Sequence, residues 1–383
     1  MSGFFGLLLL ALALAGTIYT LAAALLAGRY RGVTPPAGSG SRTPVTLLKP
    51  LHGEEPALAA NLASFLDQDY PGPVQMVCGV RRADDPAIAT ARALRDALPE
   101  RDILLVVDPA RHGANDKISN LINSARHARH PLLILSDSDM AVTPHYLATI
   151  VAALERPGVG AVTCLYHGRG QEGGWSRFAA AGISYQFLPS VILGVASGRA
   201  RPCMGSTIAL TRATLDRIGG LGRFADLLAD DHAIGEAVRE AGLTIAIPPL
   251  ILAHGCSETS LGALLRHELR WAATVRALDR WGYAGSVVTY PVPLALLGLA
   301  FAGVSGAGMA ILGVALASRL CLAWRINRLT GEQAMPLWLL PARDVLSLAI
   351  FVAGFFTRSV DWRGSGLRME KNGRIAARSE SLP

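Results

Sequence analysis

Charged side chains are scarce in this chain. They make up 17% of its 383 residues, whereas hydrophobic residues make up 51%. Wholly soluble proteins rarely have so few charges, so the composition argues against that class and indicates a membrane protein. The apolar excess collects at the two ends of the chain, and the length leaves room for a folded domain between them.

Cysteine is also sparse. The five cysteines are an odd number and form no C-x-x-C pair. This excludes a disulfide framework and a paired-cysteine zinc site, and it fits reduced thiols in a cytoplasmic domain. The middle of the chain also lacks a platform of aromatic and basic residues. We therefore attribute the net charge of +7 to basic loops beside anionic lipid and expect no nucleic-acid partner.

Three familiar catalytic motifs are incomplete. Residues 168–173 match G-x-G-x-x-G, but no acidic residue lies between Glu172 and Asp216 to hold a ribose, which argues against a dinucleotide site. His267 begins like an H-E-x-x-H zinc motif, but Trp271 stands at the second ligand position. No serine lies in a nucleophile-elbow pattern, so acyl transfer is not supported.

Long apolar runs indicate membrane segments at both ends. Residues 4–26 carry no charge and no basic stretch precedes them, which predicts an uncleaved spanning anchor. Arg29 and Arg31 follow, so the positive-inside rule places the N-terminus outside. Residues 287–302 and 307–322 predict two more spans, and residues 345–356 are short for a span. That last run is either re-entrant or extended by residues 336–341.

Basic residues of the C-terminal part prefer the cytoplasmic side, and a re-entrant last segment would let both of their clusters lie there. The clusters are Arg319, Arg325 and Arg328, and Arg358, Arg363, Arg368, Lys371, Arg374 and Arg378. We expect five regions in all. They are an anchor (1–28), a linker (29–42), a cytoplasmic catalytic domain (43–285), membrane or re-entrant helices (286–358) and a basic tail (359–383).

The middle of the chain alternates between strand-like and helical patterns. Strands are predicted at 46–48, 74–80, 103–107, 132–135 and 160–165, and helices near 56–67, 86–98, 117–129 and 144–155. Such alternation indicates an α/β fold with a mostly parallel, doubly wound sheet. Residues 175–195 are apolar but contain Pro189. They predict either a segment lying against the bilayer or a buried helix with a proline kink.

Two carboxylates follow the predicted strand at 132–135. If the strand continues, Asp137 and Asp139 share one face and can approach one point at the carboxyl end of the sheet. Carboxylate pairs at such an edge suit a hard divalent cation that carries a nucleotide diphosphate. The same D-x-D spacing is also found in solvated turns and helix caps.

Three further polar groups lie in the same half of the chain, and each has a plainer interpretation. Asp84 and Asp85 follow the strand 74–80, although they also suit a helix cap. Asp230 and Asp231 open a helical stretch at 233–241, where acidic residues are favoured in any case. Residues 266–271, on a predicted helix at 260–279, place two arginines one turn apart, and that face could be solvated or lipid-bound.

Together these motifs resemble a family of membrane glycosyltransferases. Residues 43–285 are similar to processive-type family 2 glycosyltransferases, and most similar to the ceramide glucosyltransferase branch. Within it they look most like bacterial hopanoid-biosynthesis enzymes. The matching stretches are LKPLHG at 48–53, ADDPAI at 83–88, NDKISNL at 115–121, DSD at 137–139, DD at 230–231 and HELRW at 267–271. One departure is His267, which stands where the family has glutamine or arginine.

The resemblance implies a GT-A-type fold with a doubly wound mixed sheet, transmembrane helices at both ends, and an inverting transfer from a UDP-sugar. A divalent cation, Mg²⁺ or Mn²⁺, would be held by Asp139 and Asp137. Asp231 would be the base, with Asp230 as the alternative. The nucleotide sugar would be contacted by Lys49, Asp84, Asp85, Lys117 and Asp137, and the diphosphate or acceptor by His267, Arg270 and Trp271.

The partners implied by the resemblance are a UDP-sugar donor, a lipid acceptor and the bilayer, while the oligomeric state stays open. The acceptor would be a polyhydroxylated hopanoid, or alternatively ceramide, and the sugar N-acetylglucosamine or glucose. The location would be the bacterial inner membrane, with the catalytic domain in the cytoplasm. Two other functions are weighed: a polysaccharide synthase, which would have more spans, and a non-catalytic scaffold, which would lack a carboxylate motif.

Overall fold

An uncharged apolar run forms the first helix, α1 (Ser2–Arg29), of this computed structural model. The structure describes residues 2–30 and 41–357, and the backbone of three short strands near the C-terminus. Those strands pair antiparallel in one small sheet, and they are β11 (Ser359–Trp362), β12 (Ser365–Met369) and β13 (Ile375–Ala377). Arg31, Arg358, Arg363, Lys371, Arg374 and Arg378 lie outside the described residues.

The central domain contains ten strands and most of the shorter helices. The strands are β1 (Val45–Pro50), β2 (Val74–Val80), β3 (Asp102–Val107), β4 (Leu132–Leu135), β5 (Met140–Ala141), β6 (Val159–Val162), β7 (Leu165–Gly170), β8 (Ile208–Thr211), β9 (Thr244–Ala246) and β10 (Ile251–Cys256). The helices are α2 (Leu58–Leu66), α3 (Ala87–Ala97), α4 (Asp116–Ala125), α5 (Tyr146–Leu154), α6 (Gly173–Gly182), α7 (Leu188–Ala196), α8 (Arg212–Arg217), α9 (Asp230–Glu240), α10 (Leu261–Leu278) and α11 (Arg280–Gly285).

Seven of these strands form one mixed sheet in the order β3-β2-β1-β4-β8-β6-β9. β1 to β4 are parallel, β8 runs antiparallel to both β4 and β6, and β9 is parallel to β6. β5, β10 and β7 form a smaller sheet in that order. Helices such as α4 and α5 pack on the large sheet and bury its apolar side chains. The alternation of strands and helices predicts the parallel part of this doubly wound sheet, and the family resemblance implies its mixed character.

The first four predicted strands and the helices between them are confirmed within a few residues. The fifth, at 160–165, is wrong in extent. The chain leaves the large sheet after Val162, and Leu165 begins β7 of the smaller sheet. β5, β8, β9 and β10 were not predicted from the sequence. The predicted helices at 233–241 and 260–279 correspond to α9 and α10.

Within residues 2–30 and 41–357, four helical stretches are long and apolar enough to cross a membrane: 3–29, 173–196, 306–330 and 337–354. They contain α1, the α6–α7 unit, α13 (Gly306–Thr330) and α14 (Leu340–Gly354), the last preceded by a 3₁₀ turn. α12 (Pro291–Ala302) is bent by 75° from the helical stretch before it. The short run at 345–356 was predicted to be either re-entrant or extended by residues 336–341. The helical stretch at 337–354 agrees with the extension.

Glycine lets α12 pack closely against α1. A methyl group at Gly6 would lie 2.4 Å from the backbone nitrogen of Ala302, and one at Gly298 would collide with Leu10. These contacts pair the start of α1 with the end of α12, so the two helices run in opposite directions. α13 then returns along α1, since a methyl group at Gly28 would lie 2.9 Å from the Arg325 guanidinium.

The apolar segment around Pro189 is helical, and about half of it is buried inside the protein. α6 and α7 join through one π-helical turn, Ile183–Phe187. Proline has no N–H to donate to the carbonyl four residues earlier, which belongs to Tyr185. That carbonyl accepts instead from Arg319 Nη1 at 2.8 Å.

The sequence predicts that Arg319 belongs to a basic cluster on the cytoplasmic side. The structure shows instead that it lies between helices. Its guanidinium is buried between helices and bonds both carboxylate oxygens of Asp344, at 2.7 and 2.9 Å. The neighbouring Arg343 is also buried, and it pairs with Glu268 of α10 at 2.6 Å. Two buried ion pairs thus tie α14 to α13 on one side and to α10 on the other.

Candidate functional site

The two carboxylates after β4 lie in a turn, not on a strand. β4 ends at Leu135, and the chain turns through Asp137 and Asp139 before β5 begins. The expectation that both share one strand face is therefore wrong in its reason. The two side chains nevertheless stand in the same site, because each faces a residue of another motif or of the smaller sheet. Both are about one-third exposed.

Lys117 joins the D-x-D turn to the second acidic pair. Its ammonium lies 2.7 Å from Asp137 Oδ1 and 3.6 Å from Asp230 Oδ2. Asn115 caps α4 by accepting from the Ile118 N–H, and this fixes the helix start from which Lys117 projects. Burial disfavours its charge, but the two carboxylates raise the pKa of Lys117 above its usual range.

Asp230 and Asp231 differ in surroundings although they are adjacent. Asp230 is buried against Lys117, and burial raises its pKa to about 6 despite the opposing charge of that lysine. Asp231 is more accessible, and its carboxylate accepts from the backbone N–H groups of Gly205 and His232 at 3.0 and 2.7 Å. Burial raises the pKa of Asp231 as well. The accessible carboxylate with a raised pKa is the better proton acceptor.

Gly205 forms the floor between these motifs. A methyl group placed there would lie 3.0 Å from Asp137 Oδ2, 3.0 Å from Lys117 Nζ and 3.7 Å from Asp231 Oδ2. The D-x-D turn, α4 and α9 therefore meet over one residue without a side chain. A ligand at that point has the Lys117 ammonium within reach as a donor and the Asp137 and Asp231 carboxylates as acceptors.

His254 on β10 is a site residue that the sequence analysis missed. Its Nε2 lies 3.2 Å from Asp139 Oδ2, and its ring stacks on Tyr166 with centroids 5.6 Å apart. Burial opposes its charge, yet the charge of Asp139 and the hydrogen bond to it raise the pKa of His254 well above its usual range. A single histidine on a short strand gives no motif by which a sequence would reveal it.

The predicted acceptor motif lies on α10 and reaches the same region through aromatic contacts. Trp271 packs on Phe187 of the π-helical turn, at 6.0 Å between ring centroids, and Phe187 packs on Tyr166 at 5.0 Å. His267 makes an edge contact with Trp271, and its Nδ1 lies 2.5 Å from Glu258 Oε1. Arg270 is on the same helix, one turn beyond Arg266.

A contact between Lys49 and the nucleotide, as predicted from the sequence, would require the side chain to reach outward. In the structure it turns inward. It is fully buried, and its ammonium donates to Ser136 Oγ and to the Asp137 carbonyl, both at 3.0 Å, over the ring of Phe65. The lysine therefore supports the D-x-D turn from below. Burial lowers its pKa to about 7, although nearby carboxylates oppose the shift.

The first acidic pair divides between two roles. Asp85 is buried and accepts from the N–H groups of Gly53 and Ala87, each at 3.0 Å, so it holds the turn after β1 and the start of α3. His52 lies 3.5 Å from the same carboxylate. Asp84 is exposed and pairs with Arg82 in solvent, which does not bring it to the other site residues.

The donors around Asp139 fit a divalent cation that a nucleotide helps to hold. Asp139 and His254 offer a carboxylate oxygen and an imidazole nitrogen, which a divalent cation could use once His254 has lost its proton. Among residues 2–30 and 41–357, no three His, Cys, Asp or Glu side chains are grouped as a metal site. Phosphate oxygens would therefore have to complete the coordination.

The sequence model of Glycosyl transferase family 21 matches residues 8–375, nearly the whole chain. The chain belongs to this family. The predicted ceramide glucosyltransferase-like branch is thereby confirmed, under family number 21 where the motifs suggested family 2. Ceramide glucosyltransferase 1 of Caenorhabditis elegans is 27% identical over 210 residues, 53% of this chain and 43% of that protein. Ceramide glucosyltransferase 3 of the same organism is 26% identical over 239 residues, 59% of this chain and 49% of that protein.

The family 21 chain therefore spans less than half the length of these curated relatives. Among solved structures, it is similar to the mannosyltransferase PcManGT of Pyrobaculum calidifontis in complex with GDP-Man and Mn²⁺. The TM-score is 0.54 at 22% identity, and the match covers 91% of this chain and 98% of that one. This likeness confirms the predicted GT-A-type fold with apolar helices.

Proposed function

We propose that this family 21 chain is a membrane-bound, inverting glycosyltransferase that moves a sugar from a UDP-sugar to a lipid hydroxyl. The observation that carries the proposal is the convergence of Asp137, Lys117 and Asp231 on Gly205, beside the pair formed by Asp139 and His254. An inverting transfer needs a base on one side of the sugar and cationic groups around the leaving diphosphate on the other. This arrangement offers both.

In this proposal Asp231 takes the proton from the acceptor hydroxyl, because its carboxylate is accessible and positioned by two backbone N–H groups. Asp230 is buried against Lys117 and is the weaker candidate. Asp139 and His254, with Asp137, would hold a divalent cation, which would supply positive charge to the leaving diphosphate. Lys117 and Arg270 donate to the diphosphate, and Trp271 offers a flat face for sugar or lipid.

The uridine is proposed to bind between the turn at 51–53 and the region of Asp85. Asp85 acts there indirectly, because its carboxylate already holds Gly53 and Ala87. Lys49 likewise positions Asp137 through its backbone carbonyl rather than contacting the nucleotide. Asp84 has no role in this scheme, since it faces solvent.

The proposed acceptor is a hydroxylated hopanoid, with ceramide as the second candidate. Hopanoid rests on the motif resemblance, whereas ceramide is supported by the names of the curated relatives. The proposed site adjoins the apolar helical stretch 173–196, because Phe187 packs on both Tyr166 and Trp271, so an acceptor carried in the bilayer would fit either way. We propose the bacterial inner membrane as location, with α1 starting outside and residues 43–285 in the cytoplasm, followed by membrane helices and a basic tail.

A lipid profile tests the acceptor, and two variants test the site. Cells with and without the protein should differ by one glycosylated hopanoid, whereas a glycosylceramide would select the alternative. Asp231→Asn should abolish transfer while UDP-sugar binding stays largely intact, and near-full activity would remove Asp231 as the base. Asp139→Ala should lose cation-dependent UDP binding, and unchanged cation dependence would remove it from the cation site.

A further inference from the structure

Lys117 holds a position that a divalent cation would also seek. Its ammonium contacts Asp137 of the D-x-D turn at 2.7 Å and lies 3.6 Å from Asp230. The lysine side chain is only 18% exposed, so its charge is largely shielded from water. An ammonium between two carboxylates is their natural counter-ion, and it offsets a repulsion that burial strengthens.

Three carboxylates lie around Lys117, whereas Asp139, on the other side of the turn, pairs with His254. Asp137, Asp230 and Asp231 all lie close enough to Lys117 to affect its charge. Lys49 donates to the backbone carbonyl of Asp137 from the opposite side rather than to the carboxylate. Within residues 2–30 and 41–357, Lys117 is the basic side chain that forms ion pairs with both Asp137 and Asp230.

We propose that Lys117 competes with the divalent cation for Asp137, so that the cation binds well only together with the nucleotide diphosphate. The ammonium must leave Asp137 before that carboxylate can approach a cation. A diphosphate arriving over Gly205 supplies anionic oxygens that accept the displaced ammonium. The lysine thereby makes cation and nucleotide binding cooperative. This inference rests on the proposed function, because it needs the UDP-sugar and cation site assigned above.

Cooperativity of this kind is measurable as a coupling between two ligands, and it is reciprocal. UDP should raise the affinity for Mn²⁺ by the same factor by which Mn²⁺ raises the affinity for UDP. Lys117→Met removes the competing charge and the group that would follow the diphosphate. We therefore expect this variant to bind Mn²⁺ alone about ten-fold more tightly and to show about ten-fold weaker coupling.

The experiment uses the full chain in detergent and measures free Mn²⁺ by electron paramagnetic resonance, with and without UDP. Lys117→Arg keeps the charge and should keep Mn²⁺ binding weak without UDP, which separates charge from damage to the fold. Arg111→Met is the matched control. It deletes one positive charge near the start of α4, from a side chain that is 68% exposed and 3.6 Å from Asp116. It should leave both affinities unchanged.

The outcomes distinguish this inference from the function beneath it. If the wild-type chain binds Mn²⁺ with UDP but Lys117→Met gains no affinity for Mn²⁺ alone, the competition is refuted and the glycosyltransferase site stands. Equal gains in Lys117→Met and Arg111→Met would also refute it, because they would show a general effect of charge. If the wild-type chain binds no Mn²⁺ even with UDP, the proposed cation site itself fails.

Discussion

A single methyl group at Gly205 should disturb the proposed site. In Gly205→Ala the new carbon would lie 3.0 Å from Asp137 Oδ2 and 3.0 Å from Lys117 Nζ. The optimum for such contacts is about 3.5 Å, so both charged ends must move by roughly half an ångström. A misplacement of about 1 Å lowers the rate of a catalysed reaction by up to about a hundred-fold. If diphosphate binding is equally sensitive, half of that displacement corresponds to about ten-fold, or ~1.4 kcal/mol.

The assay is the affinity for UDP in the presence of Mn²⁺, measured by isothermal titration calorimetry, since this does not require knowing the sugar or the acceptor. Gly222→Ala is the matched control, because a methyl group at Gly222 meets no heavy atom within 4 Å. Gly205→Ala should weaken UDP binding about ten-fold relative to that control. Equal affinities in the two variants would mean that nucleotide binding does not depend on the groups around Gly205.

Three further changes have defined outcomes. Arg319→Met leaves the carboxylate of Asp344 buried without its bidentate partner, which should lower stability by about 3–5 kcal/mol in a thermal or denaturant melt. The pKa of Lys49 is lowered to about 7 by burial, while an unfolded lysine keeps its proton to about pH 10. The unfolded chain then binds more protons, so the free energy of unfolding should rise between pH 7 and 10 by up to about 4 kcal/mol, and Lys49→Met should lose this rise. His267→Gln restores the family residue, and its amide can still bond Glu258, so transfer should persist, whereas His267→Ala should reduce it.

Each of these has a result that contradicts it. The exposed pair of Arg82 and Asp84 supplies the control for the buried one, because Arg82→Met removes an ion pair that lies in solvent and should leave the stability nearly unchanged. A similar loss in both arginine variants would contradict the importance of burial. The lysine prediction is contradicted by pH curves of equal slope in the wild-type chain and the methionine variant. The histidine prediction is contradicted if glutamine is as damaging as alanine.

Much of the fold could be predicted because β1 to β4 are apolar runs separated by helical periodicity. The strands that were missed are short and draw their stability from distant partners. β8 is an example, since Thr211 pairs with Leu132, a contact that no local pattern records. The single strand predicted at 160–165 was wrong for a related reason. β6 and the start of β7 are both apolar and nearly adjacent in sequence, and they differ only in the sheet that each one joins.

The candidate site was partly predictable for a different reason. Asp137, Asp139 and Asp231 lie in recognisable motifs, and acidic residues near strand ends tend to meet at one edge. The direction of a long side chain is not written in such motifs. Lys49 can bury its apolar stem and turn its ammonium inward, and only the packing around Phe65 decides that it does so. The position of His254 in the site depends on the pairing of β10 with β5, which no local sequence pattern indicates.

The shortness of α12 has a consequence for the membrane itself. Its 12 residues rise about 18 Å, whereas the hydrocarbon core of a bilayer is about 30 Å thick. In the arrangement we propose, α12 would leave a hydrophobic mismatch where it faces lipid, and thinning of the cytoplasmic leaflet beside it is one way in which a bilayer accommodates such a mismatch. Acceptor molecules near α12 would then lie in a locally thinner bilayer. The thickness of the membrane would therefore change how readily the acceptor hydroxyl reaches Asp231.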